Sequence, residues 1–149
     1  MIDINVTRQK QRRNMNNNKQ DDNLSIVRRV YEAFEKRDIE TIKTLLSKEV
    51  EWGEPSNPYN PAGGTRHGHA GFMEWINIGR HSEEILTLEL KKFLVDDDSI
   101  AVAGFTKCLA KPTGKTYETD FVHMFTLKDR KIVKFQEFFD TYIAGEAFR

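Results

Sequence analysis

The chain has a single cysteine, Cys108, among its 149 residues. That excludes an intrachain disulfide and fits a reducing compartment. It has no apolar run near the roughly 18 residues that span a bilayer. Its first residues have no apolar core of the secretory type. Together these absences give the expectation of a soluble, cytoplasmic protein. Charge of one sign is also missing: 23 basic and 23 acidic residues leave a formal net charge of zero. No overall field therefore favours nucleic acid or an anionic membrane. No GxxxxGK[ST] phosphate loop follows a strand, and no internal repeat is visible. What is present can fill one core. The apolar fraction is 38%, including ten Phe, four Tyr and two Trp, and the length fits one domain.

The first stretch is poor in large apolar residues and rich in Asn, Gln, Lys and Arg. Such a segment buries too little surface to offset the entropy of ordering it. Residues 1–22 are accordingly expected to be a disordered extension, and residues 23–149 the folded domain. Leu24, Val27, Val30, Tyr31 and Phe34 recur at helical spacing, with Asp22 or Asn23 placed to cap. Asp38 can cap a second short helix, whose apolar face is Ile39, Ile42, Leu45 and Leu46. Residues 50–52 read as a short strand. Residues 54–67 hold three of the four prolines and adjacent glycines, and read as a loop. A third helix is expected over about 69–81, with Phe72, Trp75, Ile76 and Gly79 on one side.

The apolar period then changes to two. Strands are expected over 85–95, 100–110, 117–127 and 132–139, separated by turn residues such as Lys111-Pro112-Thr113-Gly114. A short helix follows near 144–148. Three helices before a four-stranded antiparallel meander make an α+β domain, with the helices covering one face of a long curved sheet. The last two strands form an aromatic-rich hairpin. It carries four ionisable groups, Asp120, His123, Glu137 and Asp140, among Phe, Val and Met. That mixture suits a pocket that handles protons, and equally a buried polar network without activity. The sheet's other face is too apolar for water, so a homodimer through the sheet is expected.

Five short motifs, in order, carry a family resemblance. They are VYEAFEKRD at 30–38, VEW at 50–52, GGTRHG at 63–68, VHMFTLKDRKIV at 122–133 and FFDT at 138–141. Together they resemble the nuclear transport factor 2-like superfamily, in its SnoaL-like branch related to polyketide cyclases and ketosteroid isomerases. The resemblance covers roughly residues 23–149. It implies a conical α+β roll, a deep pocket between the helices and the concave sheet face, and frequent homodimers. Because this fold hosts isomerases, cyclases, dehydratases and non-catalytic binders, the activity has to be argued from the site.

The resemblance puts Glu54 where ketosteroid isomerase-like members carry their general-base carboxylate. A dry pocket would raise its pKa toward neutrality and let it remove a proton beside a carbonyl. The positions of the isomerase's oxyanion donors read Val30 and Val122, so steroid isomerisation in that form is not expected. Tyr31 stands one residue, about 100° of helix, from the first of them. Asp120 falls near the catalytic histidine of the cyclases. The resemblance suggests that the Asp120 face, shared with Val122 and Met124, points inward, with His123 on the dimer face. Lys134 stands where cyclases carry a second acid, which argues against aldol cyclisation. Asp140 caps the terminal helix or serves as an acid at the pocket rim.

Trp52, Tyr59, Trp75 and Met124 are candidate apolar walls for a small hydrophobic ligand. Gln136 and His67 are candidates for orienting it. His67 and His69 make a His-x-His pair, too little for a zinc site, and no metal or cofactor is expected. Cys108 lacks a neighbouring histidine in its strand and reads poorly as a nucleophile. Three functional readings remain open: cofactor-free acid–base chemistry on a small hydrophobic carbonyl compound, a non-catalytic small-ligand binder, or a dimeric interaction module.

Overall fold

The computed structural model describes residues 4–149. Four helices, α1 (Ile4–Glu35), α2 (Ile39–Leu45), α3 (Gly68–Ser82) and α4 (Thr141–Ala147), accompany six strands. The strands are β1 (Leu46–Glu54), β2 (Gly64–His67), β3 (Glu83–Asp96), β4 (Ser99–Ala110), β5 (Lys115–Lys128) and β6 (Lys131–Phe139). They form one sheet in the order β2-β1-β6-β5-β4-β3. All neighbours are antiparallel except β1 and β6, which run parallel. The sheet is curved and unclosed, and the helices sit on its concave side: an α+β cone-like roll.

The meander of β3 to β6 and the expected helices are all present. Two elements differ from the sequence reading. The strand expected over 50–52 extends over nine residues, and part of the proline-rich stretch forms β2. Both are stabilised by pairing across the sheet, which composition of the loop alone does not disclose.

The N-terminal segment also differs. Of residues 1–22, residues 1–3 lie outside the described ones. From Ile4 the chain is helical and continuous with the buried half of α1. No proline or glycine interrupts residues 4–35, and Gln, Lys, Arg and Met are good helix formers. Propagation from a nucleus anchored by Val27 and Val30 then costs little. Lys19 meets Asp98 at 2.6 Å and Asp22 meets Arg130 at 3.8 Å, at the turns that join β3 to β4 and β5 to β6.

α1 stops at Arg37, whose φ of 57° lets the Asp38 amide reach back to the Ala33 carbonyl at 2.8 Å. Asp38 then caps α2 through Thr41. The core lies between α1, α2, α3 and the concave face. Phe72, Phe125, Ile42, Ile100 and Leu127 are fully buried there, each contributing about 1.5–3 kcal/mol of burial.

On β5, Tyr117, Phe121, His123, Phe125 and Leu127 face inward, and Glu118, Asp120, Val122 and Met124 face outward. This corrects the inward assignment of the Asp120 face. Both faces of the strand carry apolar residues, so a period of two could not choose between them. The outer face presents Leu94, Met124 and Phe138 to solvent, and it is the surface on which the sequence reading placed a homodimer. Among the described residues no helix is long and apolar enough to cross a membrane.

Candidate functional site

A cavity of about 130 Å³ opens between α1, α3 and the concave sheet face. Its wall is aromatic and aliphatic, but three glutamates line it: Glu54, Glu83 and Glu137. Each arrives from a different element. Glu54 is the last residue of β1, Glu83 the first of β3, and Glu137 lies on the inward face of β6 between Phe135 and Phe139.

Glu54 is only 7% exposed. One carboxylate oxygen accepts a short hydrogen bond from the Trp75 indole, and the other accepts from the Asn60 side chain at 3.2 Å. Burial, followed by repulsion from Glu137, lifts its pKa from 4.5 to about 8, against the two hydrogen bonds. The loop that follows is held by turn asparagines. Asn57 accepts from the amides of Tyr59 and Asn60, and donates to the Thr141 carbonyl at 2.6 Å. Glu54 thus sits on a braced segment tied to α4.

Opposite it runs a polar relay. His123 and Glu137 are register partners on β5 and β6. His123 Nε2 lies 3.0 Å from Glu137 Oε1, and His123 Nδ1 lies 2.7 Å from the Tyr31 hydroxyl. An ionised carboxylate only accepts, so Nε2–H donates to Glu137 and Nδ1 accepts the Tyr31 proton. Burial holds the Tyr31 phenol well above its usual pKa, so the hydroxyl keeps its proton. The Phe121 ring stacks on the imidazole at 4.2 Å. It has room to do so because Gly104, its partner on β4, carries no side chain.

At the third corner the Tyr117 hydroxyl donates to Glu83. Burial raises the Glu83 pKa as well. Cys108 lies beside them, 3.3 Å from the Thr106 hydroxyl, and burial followed by the Glu83 charge pushes its thiol up to about 12. A thiol so held is a poor nucleophile.

Of the residues singled out from the sequence, the cavity brings together Glu54, His123, Trp52 and Trp75. Trp52 stacks on Phe135 at 4.0 Å, and its buried indole N–H has no hydrogen-bond partner. The others lie elsewhere. Asp120 is 86% exposed at its side chain and faces Lys91 at 3.9 Å on the outer face. Met124 and Gln136 are outer-face register partners. Tyr59 is exposed, under the Arg149 guanidinium at 5.0 Å. His67 is exposed on β2, while His69 turns to the Leu46 carbonyl at 3.2 Å, so the two do not converge. Among the described residues no group of three metal-binding side chains forms.

Asp140 caps α4, accepting from the amides of Tyr142 and Ile143 at 3.1 Å each. Asp140→Ala is expected to cost about 1 kcal/mol in denaturant unfolding and to leave ligand binding in the cavity unchanged. Loss of binding in a folded variant would return Asp140 to the pocket rim.

Sequence reasoning named Glu137 only among the ionisable groups of the hairpin, without a specific role, and gave none to Glu83 or Tyr117. For Glu137 a signal existed: it alternates with Phe135 and Phe139, and the strand hairpin sets it opposite His123. Glu83 lies at a helix–strand junction, where no period identifies a facing direction.

A small α+β roll with a polar-studded apolar cavity under its helices is the architecture of the NTF2-like proteins. The chain belongs to the SnoaL-like domain family, whose model matches residues 27–135. Among solved structures it is similar to an NTF2-like protein from Burkholderia xenovorans, with 25% identity and a TM-score of 0.81. That match covers 87% of this chain and 98% of that one. It is also similar to an NTF2-like protein of unknown function from Burkholderia pseudomallei, at 29% identity and TM-score 0.78, over 85% and 97% of the two chains. TerC, co-crystallised with polyporic acid, is 29% identical with a TM-score of 0.77, over 85% and 98%. No curated protein matches the chain.

Proposed function

We propose that this protein is a cofactor-free acid–base enzyme acting on a small hydrophobic carbonyl compound, by isomerisation, dehydration or a related proton transfer. One observation carries the reading: Glu54, buried and held near a pKa of 8, shares an apolar cavity with the Tyr31–His123–Glu137 relay. A carboxylate poised near neutrality can take a proton from carbon and return it, the condition for efficient general acid–base catalysis.

The relay supplies the complementary function. When His123 takes up a proton from solvent, its Nδ1–H donates to the Tyr31 oxygen. The phenol hydrogen is then free to turn toward a developing oxyanion. Glu137, the acceptor at Nε2, holds the imidazolium in place. The unpartnered indole N–H of Trp52 supports a carbonyl acceptor in the cavity. Neither the aldol arrangement of the cyclases nor the isomerase's oxyanion pair is needed for this chemistry.

The test requires no knowledge of the natural substrate. Single-ring ketones are incubated with the protein in D₂O, and deuterium uptake at the carbon beside the carbonyl is followed by NMR. At least one ketone is expected to exchange faster than in buffer. Binding without accelerated exchange across the panel would leave a non-catalytic ligand-binding protein.

A further inference from the structure

The cavity is sorted by charge. Its inward ionisable groups are three carboxylates, one histidine, and the neutral Tyr31, Tyr117 and Cys108; no lysine or arginine lines it. Three lysines of the sheet are paired on its outer face instead: Lys91 with Asp120, Lys107 with Glu118, and Lys134 with Glu51. His123 cannot serve as counter-ion to all three acids, since Glu137 and Tyr31 already occupy its two nitrogens. Glu54 and Glu83 are met by neutral donors, Trp75 and Asn60 for the first, Tyr117 and the Cys108 thiol for the second. Buried carboxylates without a cation are costly, and Glu54 and Glu83 lower that cost by holding their protons more tightly, which a bound cation would let them release. The remaining wall is ring faces, which carry partial negative charge and attract a cation.

From this sorting we infer that the ligand is an organic cation: a single-ring carbonyl compound bearing a protonated amine, with the ammonium group directed to Glu83 and Glu137, the carbonyl side to Glu54, and the ring against Trp52 and Phe135. A carboxylate or phosphate ester is excluded by the same groups. The size follows from the volume: a dry cavity of about 150 Å³ accepts benzene, so about 130 Å³ suits one ring, with modest side-chain adjustment for its substituent. The inference rests on the reading of this cavity as the ligand site. It adds to that reading the charge of what enters. The upward shifts of Glu54 and Glu83, caused first by burial and further by the Glu137 charge, agree with it.

Benzylamine, benzyl alcohol and benzoate share a ring and differ in charge. Their affinities for the intact protein are to be measured by calorimetry at pH 7. Benzylamine is expected to bind roughly tenfold or more tightly than benzyl alcohol, and benzoate not at all. In E83Q and E137Q the ratio of benzylamine to benzyl alcohol affinity should fall toward one. If the alcohol binds as well as the amine, the charge inference fails while the cavity remains a ligand site. If benzoate binds best, the inference also fails, and the preference would parallel TerC, whose crystallised partner is an acid. If none of the three binds, both the inference and the ligand-site reading fall.

Discussion

Glu54→Gln is expected to abolish proton exchange and to make the protein more stable at alkaline pH. Gln is isosteric with the protonated acid. It keeps one acceptor oxygen, for the Trp75 indole, and sets an NH₂ against the Asn60 amide, so that one bond is lost while the turn bonds of Asn57 that brace the loop remain. It cannot accept a proton, and loss of a general base typically costs 10²–10⁴-fold in rate, an effect on the order of 3–5 kcal/mol.

The stability change follows from linkage. The folded pKa, about 8, lies above the unfolded value of 4.5, so between these values the folded state binds more protons than the unfolded state. Stability contributed by the protonated carboxyl is complete below about pH 4.5 and is lost as pH rises through about 8. The variant has no such loss. It should match wild type near pH 5 and exceed it by on the order of 3 kcal/mol at pH 9. Urea unfolding of both proteins at the two pH values measures this. Equal stability at pH 9 would mean that Glu54 ionises freely, and a general base tuned by burial would have to be abandoned. Retained exchange would move the base to another residue.

Gly104→Ala is expected to destabilise the fold by about 3 kcal/mol and to disturb His123 from across the sheet. A Cβ at this position would overlap the Glu89 carbonyl oxygen on β3 and the Phe121 ring on β5. The first neighbour is backbone, next to the bulge between Leu90 and Lys92, and yields only if the edge strand moves. The second is the ring stacked on His123. Glycine is therefore required by close approach, and its absence of side chain links sheet curvature to the relay. Calorimetric unfolding gives the stability. Imidazole NMR shifts of His123 report its surroundings. An unchanged His123 spectrum, with the melting temperature of the wild type, would show that β3 and Phe121 relax around the methyl group without consequence.

Much of the architecture was legible in the residues. Helical spacing of Val27, Val30 and Phe34, the Asp38 cap, and the alternation along β4 through β6 each reflect a local rule that the tertiary fold obeys. The motif order from Val30 to Thr141 pointed to the NTF2-like fold because those short segments mark successive elements of it. Glu54 was legible through the family resemblance alone, since the residues read as a loop there; Trp75 was legible from its place on an apolar helix face, and Trp52 from its place in the short strand.

The inward face of the hairpin was not. Val122, Met124 and Phe138 are as apolar as Phe121, Phe125 and Phe135, so alternation offered two equivalent answers. Only packing against α1 decided that His123, and not Asp120, meets Tyr31. The same holds for the glutamates. Glu54, Glu83 and Glu137 are separated by 29 and 54 residues along the chain, and no local pattern links them. Their convergence is a property of the curved sheet, which brings the end of β1, the start of β3 and the middle of β6 around one cavity. Sequence determined the elements and their order, because propensity, capping and apolar period act within a few residues. Tertiary structure alone decided which charges share a cavity, because that depends on register and curvature across the whole sheet.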